Sequence, residues 1–134
     1  MFLFLAAQDI RKMSAGLLDS EGRLLSFQNF ETSPELYLFT ISEFLRDHLA
    51  SLESLEGLMV VSGPGSFTST RIIVTIANAL SFAKDLPIVG VENSARLAGE
   101  ELIRDFGKDW VKKSSKKFIS PVYDRPPNIT VKVA

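Results

Sequence analysis

Cysteine is absent from this chain of 134 residues, and histidine and tryptophan each occur once. Without cysteine, disulfide frameworks, thiol nucleophiles and thiolate metal sites are excluded, and the composition fits a reducing compartment. A long apolar run is also missing, whereas a membrane-spanning helix needs roughly 18 consecutive apolar residues. The apolar stretch at residues 1–7 is short and no positive residue precedes it, so it does not resemble a signal peptide. We therefore expect a cytoplasmic protein that does not associate with a membrane.

An excess of one charge is missing as well. The chain has 15 Lys+Arg against 16 Asp+Glu, which gives a formal net charge of −1. This balance argues against a protein that is basic overall and coats nucleic acid. Apolar residues make up 46% of the sequence, enough for the core of one domain of this length.

The first part of the chain has the pattern of three strands. Residues 2–5 form a short apolar run, which is typical of a strand buried on both faces. Residues 14–19 and 23–28 are predicted as the second and third strands. The turn between them, Asp19-Ser20-Glu21-Gly22, ends in a glycine that can adopt the positive φ of a tight hairpin.

A helical period follows. The segment Thr32-Ser33-Pro34-Glu35 is typical of a helix start, and apolar residues then recur at three- and four-residue spacing. These residues are Leu38, Ile41, Leu45, Leu49 and Leu52. Strands are predicted at 58–61 and 88–91, and two further helices at 68–84 and from about Asn93 to Phe106. The order β-β-β-α-β-α-β-α predicts an α/β fold in which helices flank a mixed sheet.

A basic segment follows the third predicted helix. Lys112, Lys113, Lys116 and Lys117 surround two serines, a pattern more typical of a solvated linker than of a binding patch. Residues 118–123 are a candidate for one added strand. We therefore divide the chain into a lobe of residues 1–107 and a basic linker with a C-terminal tail, residues 108–134.

Candidate catalytic groups are few. His48 lies in the first predicted helix and is interpreted as a surface or partner-facing histidine. Ser66 lies at a strand-to-helix turn, but its surroundings do not match the G-x-S-x-G elbow of serine hydrolases. The acidic residues show no metal-ligand spacing. We expect no catalytic residue, no metal site and no cofactor.

The glycine-rich loop before the second helix is the one local feature that suggests a ligand. The free N–H groups at the start of a helix attract anions, although the G-x-x-x-x-G-K-[ST] pattern is absent. Structural need alone also explains glycine and a capping hydroxyl at such a corner, so both interpretations stay open. The candidate phosphate- or nucleotide-binding residues are Gly63, Gly65, Ser66, Thr68 and Arg71.

The second predicted helix is apolar almost all round, with only Thr75, Asn78 and Ser81 in a polar stripe. A surface helix has one apolar stripe, and a single sheet can bury only one face of each helix. The surplus apolar surface therefore predicts a protein partner. The residues that we expect at this interface are Tyr37, Phe44, Ile73, Ala77 and Leu80.

The segment Gly63-Pro64-Gly65-Ser66-Phe67-Thr68, followed by Arg71, resembles the signature G-P-G-S-F-T-G-x-R of the TsaB (YeaZ) family. The small-residue helix and the strand at 86–91 keep the family's spacing. Glu35 and the helix after it resemble the family's first helix. Residues 121–127 resemble a P-x-Y-x-R-x-P segment near its C-terminus. The resemblance covers about residues 1–100 and this short tail.

This resemblance implies a ribonuclease-H-like, actin/Hsp70-like lobe with the element order predicted above. It also implies a non-catalytic subunit that binds a TsaD-type enzyme, or a second copy of itself, through its first two helices. Such a subunit supports threonylcarbamoylation of tRNA adenosine 37 and contacts tRNA only indirectly. The alternatives are a self-associating homodimer and a small phosphate- or nucleotide-binding lobe that uses the Gly63–Thr68 loop.

The sequence departs from the family pattern at several points. The family's first strand ends in Asp-Thr-Ser, whereas Ala6-Ala7-Gln8 stands here, and the loss of the carboxylate favours a non-catalytic role. Ser69 replaces the last glycine of the signature, and Val61 stands where glycine is common. No segment matches the usual second lobe, so we expect a shortened, divergent member.

Overall fold

The computed structural model describes residues 1–115 and 118–123. Within these residues, five strands and three α-helices follow the predicted order β-β-β-α-β-α-β-α, so the α/β fold class is confirmed. Two short 3-10 turns, Pro34–Leu36 and Leu52–Ser54, precede α1 and β4. The elements are β1 Phe2–Ala6, β2 Lys12–Leu18, β3 Leu24–Glu31, α1 Tyr37–Asp47, β4 Gly57–Gly63, α2 Phe67–Lys84, β5 Ile88–Glu92 and α3 Gly99–Lys113.

The strands form one mixed sheet in the order β3-β2-β1-β4-β5. The β1–β2 and β2–β3 pairs are antiparallel, and the β1–β4 and β4–β5 pairs are parallel. The predicted hairpin is confirmed, with Gly22 at a φ of 89° in its turn. The Asp19 carboxylate accepts hydrogen bonds from the backbone N–H groups of Arg23 and Glu21, and these bonds lower the pKa of that carboxyl.

Helices cover both faces of the sheet, as expected when crossover connections join its parallel strands. Helices α1 and α2 pack on one face against Leu3, Leu5, Leu58 and Val60. Helix α3 packs on the other face, where Trp110 lies 6.3 Å from the Phe4 ring. Within residues 1–115 and 118–123, none of the helices has both the length and the apolar character needed to cross a membrane.

The buried side of α1 differs from the predicted stripe. Tyr37, Ile41, Phe44 and Leu45 are buried, whereas Leu38 is 54% exposed. The stripe prediction is confirmed for Ile41 and Leu45 but wrong for Leu38, and the helix ends at Asp47, so Leu49 and Leu52 lie outside it. Leu49, at a φ of 53°, is 97% exposed.

Four of the five residues predicted for a partner interface belong to the core. Tyr37, Phe44, Ile73 and Ala77 are at most 1% exposed, and burial raises the pKa of the Tyr37 phenol. A side chain in this position cannot contact another protein while the chain is folded, so the structure corrects the prediction for these four. Leu80 is half-buried and remains accessible.

The third helix is longer than predicted. Its predicted end near Phe106 is wrong because α3 continues to Lys113. Trp110 is buried, and Gly107 packs so closely on the hairpin turn that an added Cβ would lie 2.4 Å from the Gly22 carbonyl oxygen. Lys112 and Lys113 therefore form the last helical turn, where positive charge suits the helix dipole, and not a linker.

Residues 118–123 form no regular strand. The backbone of Tyr123 forms an isolated bridge with Gly65, and its ring centre lies 4.6 Å from that of Phe67. The segment runs beside α2, where Asn78 exchanges two hydrogen bonds with the backbone of Ile119, at 2.8 and 2.9 Å. Lys116, Lys117 and the family-like residues 124–127 lie outside the described residues.

A matched pair of substitutions on α2 tests this division between core and surface. We expect Ile73→Asp to lower the free energy of unfolding by about 4 kcal/mol or more, because a carboxylate would replace a fully buried side chain. Phe82 is 78% exposed, so Phe82→Asp should change it by less than about 1 kcal/mol. Urea denaturation followed by circular dichroism measures both, and equal losses would contradict the assignment.

Candidate functional site

The carboxyl ends of the parallel strands β1, β4 and β5 meet at one end of the sheet. In α/β folds this is where ligands most often bind. A cleft of about 540 Å³ lies here. It is bordered by the β1–β2 loop, the end of β3 and the start of α3, through Gln8, Lys12, Asn29, Asn93 and Ala98.

Two amide side chains tie the strand ends together beneath this cleft. The Gln8 amide donates to the carbonyl oxygens of Pro64, at 2.6 Å, and Asn93, at 3.0 Å. The Asn93 amide in turn donates to the Gln8 side-chain oxygen at 2.8 Å and to the Leu97 carbonyl at 2.9 Å. Its own oxygen accepts the Leu97 N–H at 3.0 Å. The ends of β1, β4 and β5 are thus joined by one polar network.

Sequence reasoning missed this network. In the sequence, Gln8 is notable only as part of the stretch that replaces a carboxylate-containing motif. Asn93 is predicted only as a cap for the third helix. In the structure Asn93 is 4% exposed and α3 starts later, at Gly99. An amide side chain shortly after each of two strands predicted to be buried could have indicated this network, because a buried amide requires partners.

The glycines of the Gly63–Thr68 loop are needed for close packing. A Cβ on Gly63 would lie 1.8 Å from the Val122 carbonyl oxygen, and one on Gly65 would lie 2.7 Å from the Gln8 carbonyl oxygen. Gly63 also has a φ of 126°, which disfavours other residues. The backbone of the chain itself therefore occupies the space that these glycines leave.

Ser66, the last loop residue before α2, is engaged within the protein. The Ser66 N–H donates to the Gln8 carbonyl at 2.8 Å, and the Ser66 hydroxyl accepts the Ser69 N–H at 3.1 Å as the cap of α2. The Ser69 hydroxyl pairs with that of Ser66 at 2.7 Å. The Arg71 guanidinium stacks 4.9 Å from the centre of the Phe67 ring. This arrangement favours the structural interpretation of the loop over the anion-binding one.

The charged groups around the cleft are of mixed sign. Arg96 lies 3.3 Å from Asp9, and Lys12 stands opposite Glu31 in the β2–β3 register. In the part of the chain that the structure describes, no three histidine, aspartate or glutamate side chains are grouped as metal ligands. His48 lies at the end of α1, where its Nδ1 is 2.8 Å from the Phe44 carbonyl oxygen.

A second candidate site is the side of α1 and α2 that faces away from the sheet. Both helices pack on the same face of the sheet, so their outward sides share one surface. Large apolar side chains stand exposed there, with Phe39 at 63% and Phe82 at 78%. We define the outer helical face by these two residues and by Leu36, Leu38 and the half-buried Ile72, Ile76 and Leu80.

The half-buried members lie on the flank of α2 that is turned toward α1. Ile72, Ile76 and Leu80 recur every four residues, which aligns them on one side of a helix. Asn78 lies on the opposite flank, where it bonds to Ile119 beside β5, and Phe82, four residues further on, lies toward that side of the outer helical face. Leu80, the fifth residue predicted for a partner interface, therefore belongs to the outer helical face.

The amide network yields a stability prediction. Asn93→Ala should lower the free energy of unfolding by about 2 kcal/mol, because it leaves the half-buried partners of three hydrogen bonds unpaired. Asn29→Ala is the matched control at the same cleft, since Asn29 is exposed and its side chain, among the residues that the structure describes, bonds only to the Ser14 hydroxyl. Thermal and chemical denaturation compare the two, and an equal effect would contradict a special role for Asn93.

Comparison with protein families and curated proteins places these features in context. The model of the family described as "TsaD: tRNA N6-adenosine threonylcarbamoyltransferase" matches residues 35–105, more than half of the chain. The tRNA threonylcarbamoyladenosine biosynthesis protein TsaB of Haemophilus influenzae is 36% identical over 58 residues, 43% of this chain and 25% of that protein. A tRNA N6-adenosine threonylcarbamoyltransferase of Geobacter metallireducens is 42% identical over 53 residues, 40% of this chain and 16% of that protein.

A solved structure extends the similarity to the fold. YeaZ from Pseudomonas aeruginosa superimposes with a TM-score of 0.62 at 26% identity, over 79% of this chain and 49% of its own. This match confirms the fold expected from the family resemblance. The chain spans about half the length of YeaZ, and it aligns with a quarter or less of the two curated relatives above. On the family match and these relatives, the chain belongs to the family of that model and is a TsaB/YeaZ-type member of it.

Proposed function

We propose that this chain is a non-catalytic subunit that docks on a TsaD-type protein and supports threonylcarbamoylation of tRNA adenosine 37. The observation that carries the proposal is the outer helical face. The names of the relatives, which include both the biosynthesis protein TsaB and the transferase, supply the chemical context.

The outer helical face has the composition of a protein interface. Phe39, Phe82 and Leu38 are each more than half exposed on helices whose other sides are buried in the core. Aromatic side chains are enriched in protein interfaces, and contiguous exposed apolar patches commonly mark interaction sites. Packing of α1 and α2 against helices of a partner would remove this apolar surface from water. The removal of apolar surface from water favours such association.

The residues at the strand ends support a non-catalytic role. Covalent or acid–base catalysis needs a nucleophile beside a positioned base. At the end of β1 this chain has Ala6-Ala7-Gln8, and the Gln8 side chain is engaged by Pro64 and Asn93. With a net charge of −1, the chain also lacks the positive excess of a direct RNA binder, so contact with tRNA runs through the partner.

Self-association through the same outer helical face is the second candidate. A two-fold interface needs one self-complementary patch, and an apolar helical face satisfies this requirement. The third hypothesis, a phosphate- or nucleotide-binding lobe, is less well supported because the Ser66 and Ser69 N–H groups are already bound within the chain.

A charge placed on the outer helical face should weaken docking. We expect Phe39→Glu to weaken binding to the TsaD homologue of the same organism about 30-fold or more, because an exposed aromatic anchor is replaced by a charge that must be desolvated. Phe106→Glu is the matched control, since Phe106 is 43% exposed on α3, behind the opposite face of the sheet. Light-scattering mass of the mixtures, with calorimetric titration, measures the effect.

The outcomes separate the hypotheses. If a folded Phe39→Glu variant still binds the TsaD homologue with unchanged affinity, the outer helical face is not the docking surface. A homodimer that does not bind the TsaD homologue, and that dissociates when Phe39 is replaced by glutamate, would favour self-association. Stabilisation of the isolated chain by ATP, lost in an Arg71→Ala variant, would favour the nucleotide-binding lobe instead.

A further inference from the structure

Residues 118–123 lie along one flank of α2 and end at the loop that precedes it. The Asn78 side chain accepts the Ile119 N–H at 2.9 Å and donates to the Ile119 carbonyl oxygen at 2.8 Å. Near the other end, the Val122 N–H donates to the Ser62 carbonyl oxygen at 2.6 Å. This segment, which we call the strap, is therefore bonded through its own backbone to both α2 and the end of β4.

Two glycines make room for the strap. A Cβ on Gly63 would lie 1.8 Å from the Val122 carbonyl oxygen, and a Cβ on Gly90 would lie 2.5 Å from the Ile119 Cγ2 atom. Non-bonded atoms do not approach this closely, so a larger residue at either position would displace the strap. The first glycine of the signature loop and the glycine of β5 thus form a receptor for a segment of the same chain.

The strap is attached by a small number of contacts and not by a strand ladder. Its described bridge is the isolated one between Tyr123 and Gly65, and the Tyr123 ring packs on Phe67. Phe118, at its start, is 70% exposed, and Ile119 packs against the hydrophobic core. Segments with few buried apolar contacts open at a lower free energy than the core of a protein. The strap can therefore leave β5 and α2 while the sheet stays folded.

We propose that the strap seats and unseats as one unit, and that the seated strap fixes the flank of α2 that borders the outer helical face. The second part of this proposal rests on the proposed function. Asn78, which holds the strap, and Phe82, an exposed aromatic of the docking surface, lie four residues apart on one side of α2. Loss of the strap would free this side of the helix. A partner would then have to order it on binding, which lowers the affinity.

Amide hydrogen exchange in the full chain tests whether the strap is a unit. The N–H groups of Ile119 and Val122 are both hydrogen-bonded when the strap is seated. Gly90→Ala places a methyl group against Ile119, and we expect it to speed exchange at both amides about tenfold or more. Adding Ile119→Ala removes the clashing atoms and should restore slow exchange at Val122. Acceleration at Ile119 alone, or unprotected amides in the parent chain, would overturn the proposal.

A matched pair of substitutions on α2 separates the strap from the helix itself. Asn78→Ala removes both bonds to Ile119 and should speed exchange at the same two strap amides. Thr75→Ala should leave them unchanged, because Thr75 is exposed and its hydroxyl donates to the Arg71 carbonyl of its own helix. The buried amides of β1 are the internal reference for unfolding of the whole chain. If every variant that unseats the strap speeds exchange in β1 equally, the strap is not a separate unit and the proposal is wrong.

Calorimetric titration with the TsaD homologue of the same organism tests the second part. Gly90 lies in β5 and is not a member of the outer helical face, but Gly90→Ala should weaken binding about tenfold. The double variant with Ile119→Ala should recover the affinity. Unchanged affinity in a chain whose strap is unseated would overturn the link between strap and docking. If the parent chain does not bind this homologue, the proposed function and that link both fail, and the exchange rates still decide whether the strap is a unit.

Discussion

The hydrogen-bonded pair of Gln8 and Asn93 is the interaction on which the carboxyl end of the parallel strands depends. It joins the ends of β1 and β5 and, through the Pro64 carbonyl, the loop before α2. Asn93 is buried and Gln8 is half-buried, and such an amide pair is stabilising only when its partners are all in place, which makes the three strand ends one unit. The helix cap at Ser66 and the packing of Gly65 both rest on the backbone of Gln8.

Placing α1 and α2 side by side on one face of a single sheet determines where the apolar surface is left over. Each helix buries one side, and α2 is apolar on more than that side. Phe39 and Phe82 therefore stand in solvent, although neighbouring residues on the same helices are fully buried. This geometry is the feature that supports the proposed docking on a partner.

Much of the fold could be predicted from local patterns. Continuous apolar runs identified β1, β4 and β5, and Gly22 identified the hairpin, because burial and turn chemistry act over a few residues. The end of α3 could not be predicted, since its last turns are held by contacts of Gly107 and Trp110 with the hairpin and β1, far away in sequence.

The class of fold, the order of its elements and the family with the signature around Ser66 could all be read from local patterns in the sequence. Which side of each helix is covered depends on how the elements pack in three dimensions. Tyr37 and Phe39 are both aromatic and two residues apart, yet one is fully buried and the other is 63% exposed. Composition cannot distinguish them, because exposure depends on the direction in which the helix meets the sheet.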